Sequence, residues 1–353
     1  MYKDITKSIS ASASRATDEQ DASIGRNIEL DRMIAEDALD LSEDIPEPEP
    51  VVSREGLPVC TRDTITVVSG PAKSRKTFLA SALAGACLAD EGHFCGFESK
   101  GLNKLLWIDT EMAKGHVAKV ARRLHRIAGL KENRSSEDIE VYMLKKHTRK
   151  DRYDIFKRLI ELKRPDLVVL DGVADLVSDV NSLEQAEDIA QDFGNIAEEY
   201  HLSMVVVLHT NEYSDSDEPR GHLGSTMLRK ADCTILVKRI DKDFSSVTFT
   251  KARGLESPDF CFFIDDKGLP KVADINLIKT LSYEKLFSEI MEGKDYWTHG
   301  ELCDAIKKKG NVSKETAKRR ITDATGNVIK KSSANKKYYL ITKNDDIDNL
   351  GSF

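Results

Sequence analysis

Residues Thr64 to Leu88 read TITVVSGPAKSRKTFLASALAGACL. An apolar, β-branched run from Thr64 to Val68 predicts a strand. A short polar loop follows, and the apolar spacing after Lys76-Thr77 predicts a helix that starts at once. Strand, loop and helix in this order make a phosphate-binding site of the P-loop kind. Successive backbone N–H groups and the helix N-terminus form a concave site for anions. The cradle runs Gly70, Pro71, Ala72, Lys73, Ser74, Arg75, Lys76, Thr77 and Phe78. In such a loop the lysine, here Lys76, reaches the β- and γ-phosphates, and the hydroxyl of Thr77 ligates Mg²⁺. One position departs from the common pattern: Arg75 stands where a second glycine is usual. A side chain there must accept the backbone angles of the loop, or the loop takes another shape. Arg75 and Lys73 also add positive charge beside the phosphates.

The chain has 353 residues, room for two domains and a tail. No apolar run approaches the ~20 residues that cross a bilayer. The N-terminus has no apolar segment of the secretory kind. The cysteines at 60, 87, 95, 233, 261 and 303 are scattered and form no C-x-x-C pair. They read as reduced thiols of a cytoplasmic protein rather than as a metal site at Cys87, His93 and Cys95. The net charge of -7 hides an asymmetry. Residues 1–50 carry 5 Lys/Arg against 13 Asp/Glu, and the remainder carries 48 against 47. Residues 281–342 carry 13 against 8. The expected organisation is an acidic, largely disordered segment over 1–56, an α/β domain over 57–275, a small basic domain over 282–342 and a tail over 343–353. Residues 27–42 space apolar positions helically, and the Pro-Glu repeat ending at Pro50 reads as an extended spacer. From 57 to about 273 strands and helices alternate, and uninterrupted apolar strands such as Leu167–Leu170 suit a mostly parallel sheet covered on both faces.

Magnesium at a phosphate loop calls for a carboxylate. Asp171 ends the strand Leu167–Leu170, where the metal-binding aspartate of such sites stands. Hydrolysis calls for a group that positions water. The run from Lys104 to Met112 is a strand ending in carboxylates; Asp109 and Glu111 share a face if the strand runs through both, so periodicity leaves both open.

The context Ile108-Asp-Thr-Glu-Met112 resembles that of the catalytic glutamate in RecA-like ATPases. That resemblance implies that Glu111 orients the attacking water. It extends through Val205-Val-Val-Leu-His209, where His209 matches a γ-phosphate sensor, and through Lys251-Ala-Arg253-Gly254, similar to an element that reaches the neighbouring subunit's phosphate. By the same resemblance the loop after His209 lies near a central channel holding single-stranded DNA, with Arg220 and His222 as its contacts. The likeness is to RepA-type hexameric ATPases of plasmids, phages and mobile elements and covers residues 57–270. It implies a homo-hexamer that uses ATP and Mg²⁺.

The end of the chain reads as three helices and a hairpin, the pattern of a winged helix-turn-helix. Residues 313–324 fit a recognition helix, with Lys314, Lys318 and Arg319 outward, and Lys330, Lys331, Lys336 and Lys337 fringe the wing. Duplex DNA is the expected partner there. The function expected is an ATP-driven DNA motor of the replicative-helicase kind. The rivals are an ATP-switched DNA-binding regulator without unwinding activity, and a scaffold that binds nucleotide without turnover.

Overall fold

The computed structural model describes residues 26–341, apart from 36, 43, 46, 90, 102–103, 211–218, 220, 274 and 311–312. The expectations for residues 1–25, for the tail, for Arg220 and for the acidic loop before it lie outside the described residues. The chain divides into a unit up to Pro48 and a larger one from Glu49. The first holds a helix, α1 (26–35), shorter than the spacing over 27–42 predicts. Its Ile28 and Ile34 are exposed.

The larger unit opens with β1 (Pro50–Arg54) and β2 (Leu57–Thr61), then β3 (Ile65–Gly70), α2 (Lys76–Leu88), β4 (His93–Phe94) and β5 (Phe97–Glu98). Next come β6 (Leu105–Asp109), α3 (Lys114–Ile127), β7 (Ile139–Met143), α4 (Arg149–Lys163) and β8 (Leu167–Asp171). These lead to α5 (Leu183–Glu199), β9 (Ser203–His209), α6 (Gly221–Lys230), β10 (Cys233–Arg239), β11 (Phe244–Ala252), β12 (Phe260–Ile264) and β13 (Pro270–Ala273). The chain ends with α7 (Ile275–Met291), α8 (His299–Gly310), α9 (Lys314–Ala324), β14 (Ile329–Lys331) and β15 (Tyr338–Leu340).

Nine strands form one sheet in the order β13-β12-β11-β10-β3-β9-β8-β6-β7. From β10 to β7 every neighbouring pair is parallel, and β11 to β13 add an antiparallel extension. This is the mostly parallel sheet of an α/β fold, as the sequence leads one to expect. Alternation along the central strands sends side chains to two cores, because the side-chain period of a strand is two. Val68, Leu105, Trp107, Val169 and Val205 pack with α2 on one face. Val67, Leu106, Ile108, Val168 and Val206 pack with α4 and α5 on the other. Truncating one such side chain to alanine costs about 2–5 kcal/mol. With both faces covered, polar side chains of the central strands can meet solvent only at strand ends. The functional groups gather at the carboxyl ends.

A second sheet, β2-β1-β5-β4, is absent from the sequence expectation. The expected spacer ends as its first strand: Pro50 opens β1, a position where the missing N–H is tolerated. The terminal module has its own core of Phe287, Leu302, Ile306, Ile321, Ile329 and Tyr338. The capping box at α8 forms, with Thr298 N–H donating to Glu301 at 2.8 Å and Glu301 N–H to the Thr298 hydroxyl at 3.3 Å. Among the described residues no helix is long and apolar enough to cross a membrane.

Candidate active site

The loop after β3 lies against the C-terminal end of β9, where Gly70 pairs with His209. Gly70 has φ 152°, and a Cβ there would lie 2.1 Å from the Val237 carbonyl oxygen on β10. No other residue fits that close approach. Arg75 takes the left-handed conformation, φ 78° and ψ 28°, so the loop keeps the turn that a glycine commonly makes. The side chain has somewhere to go. One Nη donates to the Ser245 hydroxyl at 2.8 Å and the other to the Lys242 carbonyl, both beside the β10–β11 turn. Its charge is therefore anchored to that turn rather than left loose beside the phosphates. The first turn of α2 carries no acidic residue and no side-chain cap, which suits an anion site.

The carboxylates stand at the ends of adjacent strands. Asp171 on β8 pairs in register with Asp109 on β6. The Thr77 hydroxyl donates to Asp171 Oδ2 at 2.8 Å. Burial pushes the Asp171 carboxyl up to about 6, and the nearby Asp109 and Glu111 charges add to the rise. Asp109 is also raised, again by burial first. Its Oδ1 accepts the N–H groups of Glu111 at 3.1 Å and Met112 at 2.7 Å, fixing the turn that aims Glu111. Its Oδ2 is buried without a partner. Thr110 braces the same turn by donating to the Gly172 carbonyl at 2.7 Å. Gly172 has φ 105°, and a Cβ there would lie 2.2 Å from the Thr110 hydroxyl oxygen.

Lys76 Nζ donates to the carbonyls of Gly70 and Pro71, both at 2.8 Å. It also lies 3.2 Å from His209 Nδ1, and His209 Nε2 lies 3.3 Å from Glu111 Oε2. The ammonium donates to Nδ1, so the ring proton sits on Nε2 and points at Glu111. That hydrogen bond is the first cause holding the Glu111 carboxyl below its usual range. Lys76, Thr77, Glu111, Asp171 and His209 thus converge on one cavity of about 430 Å³.

Beyond Phe78 of the cradle, the cavity has a side that the sequence expectation missed, lined by Met112, His116, Lys119, Val120 and Arg123. Arg123 is buried, donates to the Ser81 hydroxyl at 3.0 Å and lies 3.6 Å from the centre of the Phe78 ring. Burial brings its guanidinium down to about 10. The signal was present: Arg123 falls between Val120 and Ile127, inside the apolar stripe of α3.

Other expected site residues stand elsewhere. Lys251 and Arg253, at the end of β11, are exposed and do not line this cavity. Arg253 Nε holds Asp232 at 2.8 Å. His222 is exposed at the start of α6. Lys314, Lys318 and Arg319 are exposed on α9, as are Lys330, Lys331 and Lys336 around the hairpin, while Lys337 is half-buried.

The residues present fit a magnesium nucleotide. A Thr–Asp pair, a buried carboxylate oxygen without a partner and an uncapped helix N-terminus are groups such a ligand answers. Among the described residues no cluster of three or more His, Cys, Asp or Glu could hold a metal. Magnesium taken with phosphates and water needs only one or two protein oxygens. Fold and site together define a P-loop ATPase of the α/β class. The family model described as an AAA domain matches residues 29–215, over half of the chain, and the protein belongs to that family. No curated relative matches the chain. Among solved structures, that of the RadB recombinase is similar at 15% identity and a TM-score of 0.45, over 62% of this chain and 94% of that one.

Proposed function

We propose that the protein is an oligomeric, Mg²⁺-ATP-dependent motor that acts on DNA. The observation that carries the reading is the chain Lys76–His209–Glu111, which ties the phosphate lysine to the water-positioning carboxylate through one imidazole. Bound ATP and Mg²⁺ supply the transferable phosphoryl group and the charge that neutralises it. Lys76, now on its loop carbonyls, would hold the β- and γ-phosphates, and Thr77 and Asp171 would hold the metal. Glu111, ionised at neutral pH, accepts a hydrogen bond from water and turns its oxygen toward the phosphorus. His209 reports the change at Lys76 to Glu111, which suits a phosphate sensor. Lys251 and Arg253 are exposed and do not line their own cavity, which leaves them free of it to complete a neighbouring subunit's site in a homo-hexamer. Arg253 would exchange Asp232 for that neighbour. Single-stranded DNA is the proposed partner of the region around Arg220 and His222, and a winged-helix module at 282–342 the proposed duplex contact.

Glu111→Gln is expected to bind ATP normally and to turn it over ~10²-fold more slowly, the scale of a lost positioned base. Near-normal turnover would move the role to another group. Turnover measured with and without single-stranded DNA, alongside solution mass, separates the motor from its rivals. A monomer whose turnover ignores DNA is not a motor of this kind.

A further inference from the structure

An isolated bridge adds to the two-stranded hairpin of the terminal module. Trp297 and Tyr338 exchange backbone hydrogen bonds at 2.9 and 2.8 Å, an antiparallel bridge. On its other side β15 pairs Tyr339 with Lys330 and Tyr338 with Lys331. Side chains alternate between the faces of such a sheet. Ile329 and Tyr338 take the inner face and are buried against the helices. Tyr339, its cross-strand neighbours Tyr296 and Lys330, and Lys337 two residues earlier take the outer face. The Tyr296 and Tyr339 rings lie 6.3 Å apart, as an opposed pair should. Tyr296 is 40% exposed and Tyr339 half-buried. The Lys337 ammonium sits 3.4 Å from the centre of the Tyr296 ring. Asn335 donates to the Tyr339 hydroxyl at 2.8 Å, which steadies that ring.

We propose that this outer face is a stacking platform for the unpaired bases of single-stranded DNA. One exposed ring and one half-buried ring on a sheet face offer flat apolar surface, and lysines on the same face offer charge. A nucleotide needs both. Its base takes the ring face that Lys337 covers, and the displaced ammonium, with Lys330 and Lys336, takes the phosphates. Bases in a duplex are stacked on one another and cannot do this, so the platform selects unpaired strands. The module's 13 basic against 8 acidic residues favour a polyanion over an acidic-and-basic protein surface. Helix α9 is a poorer site for unpaired strands: Glu315 and Asp323 interrupt its cations, and its buried side chains are the small or aliphatic Ala317, Ile321 and Ala324. The proposal rests on the reading that the chain acts on DNA, and adds the part of the strand that this module recognises.

The test uses the full chain and a fluorescein-labelled oligothymidylate, read by anisotropy. Tyr296→Ala with Tyr339→Ala is expected to weaken binding about 10-fold or more, within the range for one or two lost stacks. Tyr296→Phe with Tyr339→Phe is expected to bind as the parent does, since stacking needs the ring and not the hydroxyl. Lys337→Gln is expected to lower the salt slope by roughly 0.7. An abasic strand of the same length should bind the parent as weakly as the alanine variant binds oligothymidylate. Equal binding by parent and alanine variant overturns the platform, and so does a phenylalanine pair as weak as the alanine pair. If DNA still stimulates ATP turnover in that case, the motor reading stands without the platform. If the platform binds strands but turnover ignores them, the platform stands and the motor falls.

Discussion

At the carboxyl ends of the parallel strands, Lys76, Asp109 and Asp171 are at most 7% exposed, whereas Lys314, Lys318 and Lys336 of the terminal module stand in solvent. The first set has lost its water. Each member is held by another protein group, and the carboxyl groups of Asp109 and Asp171 are displaced from their ordinary range. The second set keeps its water, and its ion pairs, such as Lys294 with Glu301 and Lys309 with Glu289, lie at the surface. Surface pairs contribute little each, while a buried charge left without its partner is costly. One region should respond steeply to single changes, the other shallowly and by increments.

Lys76→Ala puts the steep side to the hardest trial. It removes the only lysine within the described cavity that donates to the loop carbonyls, and ATP affinity by calorimetry should fall at least ~10²-fold, the scale of one lost buried charge partner. Unchanged affinity would place the phosphates elsewhere.

Asp171 gives the next largest effect, and its sign follows from burial. The folded carboxyl titrates near 6 against an ordinary 3.8, so its contribution to stability is full below about 4 and is lost as pH rises through 6. Without nucleotide or magnesium, the unfolding free energy should decline over that window by on the order of 2–3 kcal/mol because of this group. Asp171→Asn should remove that part of the decline and leave the part due to Asp109, which has the same sign. Parallel pH profiles for parent and variant in denaturant titrations would mean that water reaches the carboxyl.

On the shallow side, Lys318→Glu with Arg319→Glu should leave the thermal midpoint within ~1 °C and reduce the salt slope of duplex binding by roughly 2. A large fall in stability would mean that Lys318 and Arg319 hold the module together through contacts beyond their solvated face. Arg75→Gly is the smallest change. It relieves a left-handed backbone cost of about 1 kcal/mol and gives up the tie to Ser245, so net stability should move by under ~1 kcal/mol with ATP affinity intact. A loss of affinity would give the arginine its own phosphate role.

Much of the site was legible because the groups that matter sit at strand ends. A β-branched run broken by Gly70 and closed by Lys76-Thr77 carries its own geometry, and Asp171 closes four apolar residues. The pattern could not separate Asp109 from Glu111, since both leave the same strand. The backbone separates their surroundings: Asp109 turns back to hold two N–H groups, and the Glu111 carboxylate meets His209 at 3.3 Å. Nor could the pattern say where Arg75 points, because its anchor Ser245 lies 170 residues away. The small sheet escaped because β4 and β5 are two residues each, too short for any period. Tyr296 and Tyr339 meet only through a strand register.

The two tryptophans have a practical consequence. Trp107 is wholly buried in the sheet two residues before Asp109, and Trp297 lies half-buried under the Lys294 ammonium, 4.9 Å from its ring. Each half of the larger unit therefore carries a single fluorophore of its own colour. Emission from Trp107 should lie toward the blue and resist aqueous quenchers. Emission from Trp297 should lie further to the red and answer to iodide. With Trp297→Phe, the remaining light reports the sheet alone, and the difference between the two signals follows the terminal module without any attached dye.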